Sequence, residues 1–184
     1  VSAFTLSAST LSGMAFAAET PQNGGVLIYG RGGDSVSLDP GKETDGESLN
    51  VADNVFDTLV QFKVGTTEVE PGLAESWKVS PDGLKYTFNL RKNVKFHDGT
   101  PFNADAVIFS LMRQQDAKHE ANGFAKSWDY WNDMGMTTLV KSINKIDDNT
   151  VEFQLSRPEA PFLANMGMQM GSIVSPTAVR KFKA

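Results

Sequence analysis

No cysteine occurs anywhere in the 184 residues. That removes a disulfide framework, a thiolate zinc site and a cysteine nucleophile from consideration. Positive charge is also scarce, with 17 Lys and Arg against 22 Asp and Glu and a formal net charge of −5. A nucleic-acid binder needs a clustered cationic surface, so that class is excluded. The 16 glycines and 8 prolines fall well short of the roughly 25–30% combined content that marks a low-complexity chain. No apolar run reaches the ~20 residues of a membrane span. What remains is an ordinary globular composition, 40% hydrophobic, in a chain long enough to bury a real core.

Charge is missing in one more place, since none appears before Glu19. Phe4 to Ala18 is small, apolar and rich in hydroxyls, and it closes on Ala15-Phe16-Ala17. This is the A-x-A pattern behind the apolar region of a secretory signal, so residues 1–17 are read as part of a signal peptide. A lipid anchor would need a cysteine just after that region. The mature protein is therefore expected free in solution, in a periplasm.

Gly24 to Gly30 is a short apolar run bracketed by glycines, which predicts a buried strand. Arg31 to Gly46, with Gly, Asp, Ser and Pro40, reads as a loop. Apolar residues at helical spacing predict a helix over Ser48 to Phe62, with Ser48 as its N-cap. Period-two alternation predicts strands at Tyr86–Arg91 and Val151–Ser156, each preceded by turn chemistry at Pro81-Asp82-Gly83 and Asp147-Asp148-Asn149. Between them, Asn103 is placed to cap a helix reaching Gln115, with Val107, Ile108, Leu111 and Met112 as its buried stripe. Ser172 to Ala184 carries no terminating signal.

Few motifs carry chemistry. Gly30-Arg31-Gly32-Gly33 follows the first predicted strand, but Ser35 stands at the last glycine position of a dinucleotide loop and no helical pattern follows. His97 and His119 lie apart, without a second ligand at metal spacing. No G-x-S-x-G elbow exists. The reading is therefore no enzyme, no metal and no cofactor. The cluster Trp128, Tyr130, Trp131 stands out, because three aromatics in an irregular segment offer either core or the wall of a cleft.

In order along the chain, several segments resemble the bacterial extracellular solute-binding proteins of the peptide/nickel class, most nearly the dipeptide binders. They are Gly25–Tyr29, Ser37-Leu-Asp-Pro40, Asn54–Val60, Gly65–Trp77, Tyr86–Gly99, Phe102–Val107 and Asp147–Val151 leading to Arg157–Phe162. Lys85 departs from the small hydroxyl or β-branched residue more usual there. The resemblance implies a mixed α/β, two-lobed periplasmic-binding-protein fold of class II with an accessory domain, of which this chain is about the first third. Residues 18–61 would begin lobe I, 62–171 would form the accessory domain and 172–184 would return to lobe I. The second ligand-binding lobe, with the carboxylate that pairs with a peptide's ammonium, would lie outside this chain.

The implied function is capture of di- or oligopeptides for delivery to the inner-membrane permease subunits of an ABC importer, by a monomer. Nickel chelates, haem, glutathione or opines are the alternative cargoes within the class, and a secreted hydrolase is the alternative outside it. The implied ligand-facing stretch is Glu43-Thr44-Asp45-Gly46-Glu47. There Gly46 permits close main-chain approach, Thr44 bonds in either direction, and Asp45 or Glu47 suits a cationic group. Trp128, Tyr130 and Trp131 would add a stacking surface.

Overall fold

The computed structural model describes residues 24–26 and 28–183. The expected signal peptide, 1–17, lies outside them. Residues up to Gly30 form a unit separate from Arg31–Ala184. The described residues of 24–30 adopt no strand, contrary to the sequence pattern, and Val26, Ile28 and Tyr29 are exposed. A strand needs a partner for its backbone N–H and C=O groups, and no described strand pairs with this one.

In the second unit the element order is α1 (Gly46–Val55), β1 (Val60–Phe62), β2 (Val69–Pro71), β3 (Ala74–Val79), β4 (Lys85–Leu90) and α2 (Ala104–Gln115). It continues through α3 (Asp129–Asp133), α4 (Met136–Leu139), β5 (Val140–Asp147), β6 (Thr150–Leu155), α5 (Phe162–Met166) and α6 (Pro176–Phe182). β1 and β2 form a small antiparallel ribbon, and the main sheet is antiparallel in the order β3-β4-β6-β5.

The alternation read in β4 and β6 becomes one apolar face. Tyr86 pairs with Phe153 and Phe88 with Val151. All four are buried, while Thr87, Asn89, Glu152 and Gln154 between them are half-exposed. On that face Phe88 meets Phe153 edge-on at 5.4 Å, and Phe162 of α5 closes against Tyr86 at 4.5 Å. Lys85 turns outward to Glu152, 3.4 Å away, so its departure from the family pattern costs nothing in the core.

α2 starts where the sequence places it, with the Asn103 side chain accepting from the Ala106 N–H. Its buried face is wider than the expected stripe. Phe109, Arg113 and Gln114 are buried, whereas Ile108 and Met112 are only partly so. The helix lies between the sheet and a second apolar cluster of Phe109, Ala121, Val174 and Val179, and two packed sides bury more than one stripe.

Two boundaries differ from expectation. The helix predicted over Ser48–Phe62 begins at Gly46, capped by Asp45, whose Oδ1 accepts from Ser48 N–H. It ends at Val55, because Val60 to Phe62 are drawn into pairing with β2. Gly72 makes that fold-back possible, since a Cβ there would collide with the Thr58 carbonyl. The chain end forms α6, with Ser175 accepting from Ala178 N–H and Pro176 in the first turn. No described helix is long and apolar enough to cross a membrane.

Candidate functional site

The residues implied as ligand-facing span a loop and the first turn of α1. Glu43 is half-buried, Thr44 and Gly46 are exposed, Asp45 is the cap and Glu47 lies in the first turn. The backbone N–H groups of Glu43, Thr44 and Gly46 meet no acceptor among the described residues, those of Asp45 and Glu47 face only the Asp45 carboxylate, and the Thr44 hydroxyl has no partner among the described residues. A Cβ at Gly46 would meet nothing within 4 Å. The stretch therefore presents three main-chain donors, one hydroxyl and an uncovered glycine.

Its two acids are partly committed. Hydrogen bonding to Ser48 holds the Asp45 carboxyl below the usual carboxylate range, and its Oδ2 is covered without a partner. Glu47 accepts from Arg31 and Ser35 through its carbonyl oxygen, and its carboxylate stands 3.9 Å from Arg31.

Both ends of the loop are tied down by polar side chains. Upstream, Ser48 Oγ accepts from Val36 N–H at 2.9 Å, and the Ser37 hydroxyl accepts from Asp39 N–H. Asp39 in turn accepts from Gly41 N–H and from both guanidinium Nη atoms of Arg113 on α2. The sequence marks Asp39 only as part of the Ser37–Pro40 segment, with no role assigned, and does not single out Arg113. Arg113 falls one residue beyond the apolar stripe of α2, and nothing local marks it as a partner of the loop.

The aromatic cluster takes the core side of its two readings. Trp131 is fully buried and donates through Nε1 to Gln115 Oε1 at 2.8 Å. Trp128 is 5% exposed, lies under the Arg113 guanidinium at 5.0 Å and has no partner for its own Nε1. Tyr130 is half-buried against the same core. The open stacking surface expected from Trp128 and Trp131 is absent, because apolar rings gain more from burial than from facing water. Trp128 nevertheless reaches the loop from below, against Gly41.

A cavity of about 450 Å³ borders the upstream end of the loop, where Asp39, Pro40 and Arg113 join its lining. Leu38, Phe56, Phe96, Phe102, Val174 and Phe182 contribute apolar lining, and the cavity includes none of residues 43–47. At its edge Asp98 accepts from the hydroxyls of Ser175 and Thr100. These bonds, Ser175's foremost, hold the Asp98 carboxyl below its ordinary range. His97 lines this cavity, and His119 sits edge-on to Phe109 at 4.9 Å, its pKa lowered mainly by burial. No group of three or more potential metal-ligating residues occurs among the described residues.

A four-stranded antiparallel sheet packed against α2, with the 43–47 stretch held at both ends by polar side chains, makes this a mixed α/β unit. The profile of the bacterial extracellular solute-binding proteins, family 5 Middle, matches residues 68–183. The chain belongs to that family. It is 45% identical to the dipeptide-binding protein of Escherichia coli K12 over 160 residues, covering 82% of this chain and 30% of that protein. Similarity extends to the heme-binding protein A of Haemophilus influenzae, at 42% identity over 82% of this chain and 29% of the relative. Among solved structures, it matches the ABC transporter-associated periplasmic binding protein DppA of Helicobacter pylori, in complex with the peptide STSA. That match has a TM-score of 0.74 and 48% identity, covering 82% of this chain and 31% of the other. The chain thus spans about 30% of the length of these relatives.

Proposed function

We propose that the full-length protein is the periplasmic capture subunit of an ABC importer, taking di- or short oligopeptides and handing them to the inner-membrane permease as a monomer. One observation carries the peptide reading. The N–H groups of Glu43, Thr44 and Gly46 and the Thr44 hydroxyl, all without a partner among the described residues, offer a run of main-chain recognition groups. Backbone pairing binds a peptide whatever its side chains, which is what a general peptide carrier requires. Relatives named for dipeptides support the same cargo.

In this reading residues 18–61 and 172–184 belong to lobe I, and 62–171 form the accessory domain. The Ile173 N–H bond to the Asp57 carbonyl at 2.9 Å and the Thr58–Ser172 bridge support joining the two lobe I pieces. Signal-peptide cleavage before Ala18 and release without a lipid anchor complete the proposal.

The test is calorimetric titration of the full-length protein with the dipeptide Ala-Ala, and separately with haem, because one relative is named for haem. Saturable 1:1 binding of Ala-Ala without hydrolysis is the expected result. Binding of haem alone would move the cargo to the second reading, and peptide turnover would make the protein a hydrolase. Gly46→Val should weaken Ala-Ala binding at least tenfold while leaving the melting temperature unchanged, because the new side chain points into open space. Unchanged affinity would remove the loop from the site.

A further inference from the structure

We propose that the buried ion pair between Asp39 and Arg113 positions the ligand-facing loop, and that its role lies in preorganisation more than in stability. This rests on the reading of residues 43–47 as part of the peptide site. The pair is deeply buried, with Asp39 7% and Arg113 1% exposed. Two parallel bonds of 2.6 Å join the carboxylate to the two Nη atoms of the guanidinium. A planar fork of this kind fixes direction as well as distance.

On the sides away from the cavity that both residues line, neighbouring groups hold the pair in one orientation. Trp128 lies across one guanidinium face at 5.0 Å. Arg113 Nε reaches the Ser110 carbonyl, and the Arg113 carbonyl accepts from Asn122 Nδ2. On the loop side, Asp39 Oδ1 also accepts from Gly41 N–H at 3.0 Å, and the Asp39 carbonyl accepts from Lys42 N–H. At Gly41 a Cβ would stand only 3.1 Å from Gln114 and from the Trp128 ring, so the backbone is seated directly on α2. Glu43 follows two residues after this seat. The chain therefore leaves α2 at one angle, crosses the three unpaired N–H groups and is caught again by Asp45 and Ser48.

Removing both charges together separates positioning from stability. A buried ion pair replaced whole by apolar residues of similar volume is often neutral or stabilising, whereas losing one partner is strongly destabilising. In the full-length protein, Asp39→Leu with Arg113→Met should keep the parent melting temperature. Amide exchange at Ser48 and Leu49, beyond the loop and bonded to neither altered residue, should accelerate at least tenfold. Affinity for Ala-Ala should fall at least tenfold.

Unchanged exchange and unchanged affinity in the folded double variant would overturn the clamp. Faster exchange with unchanged affinity would instead remove the loop from the peptide site, and the positioning role with it. Weaker binding without faster exchange would also contradict the proposal, since the loss would not pass through loop order. Should the double variant fail to fold, Arg113→Lys decides. It keeps the charge without the fork and should shift both readouts in the same direction, and no change in either would overturn the proposal.

Discussion

The main sheet and the 31–49 segment are ordered by opposite means. The sheet is closed by apolar faces, with Phe88, Val151, Phe153 and Leu155 all fully buried. Between Arg31 and Leu49 only Asp39, Pro40, Gly41 and Ser48 are buried. Order there comes from directed polar contacts, those of Asp39 with Arg113 and of Ser48 and Asp45 with backbone N–H groups. Apolar packing is non-directional and tolerant, and a hydrogen-bonded charge pair is directional and unforgiving. A scaffold suits the first kind, and a stretch that must present free backbone groups suits the second.

The largest effect is expected in the sheet. Phe153→Ala removes a ring packed between Phe88 and Phe162, at 5.4 and 5.6 Å. It should cost about 3–5 kcal/mol, read as a shifted denaturation midpoint of this chain. A loss below about 1 kcal/mol would mean that the aromatic face does not carry the fold.

A smaller effect is expected where the two kinds of order meet, at Asp98. The Ser175 and Thr100 hydroxyls depress its folded carboxyl pKa below the unfolded value. The stability it contributes is therefore present above about pH 4 and is lost as pH falls through the lower folded pKa. Melting curves of this chain against pH should show a shallower acid limb in Asp98→Asn than in the parent. Superimposable limbs would exclude Asp98 as an acid-sensitive tie between α6 and the turn before α2.

How much could be read from the sequence follows the same division. β4, β6 and α2 were legible because their signals are local, namely period-two alternation, a capping Asn103 and turn residues at Asp82-Gly83 and Asp148-Asn149. α6 carried the Ser175-Pro176 start signal, which is clear only once the residues after it are seen to be helical. The helix over-extended to Phe62 failed because pairing with β2 outweighed a continuing apolar pattern. The loop's position at 43–47 came from resemblance to relatives. Its anchor was not legible, because Asp39 and Arg113 are 74 residues apart and no periodicity links them. Trp128 and Trp131 read as core or cleft alike, and only their burial decides between the two.

In the proposed reading, peptide lies along residues 43–47 while the sheet serves as an unresponsive scaffold. Hydrogen exchange of the full-length protein, with and without saturating Ala-Ala, tests this most directly. New protection is expected at the amides of Glu43, Thr44 and Gly46, with no change in Tyr86–Leu90 or Val151–Leu155. Saturable binding that leaves all three loop amides as fast as in the free protein would contradict it.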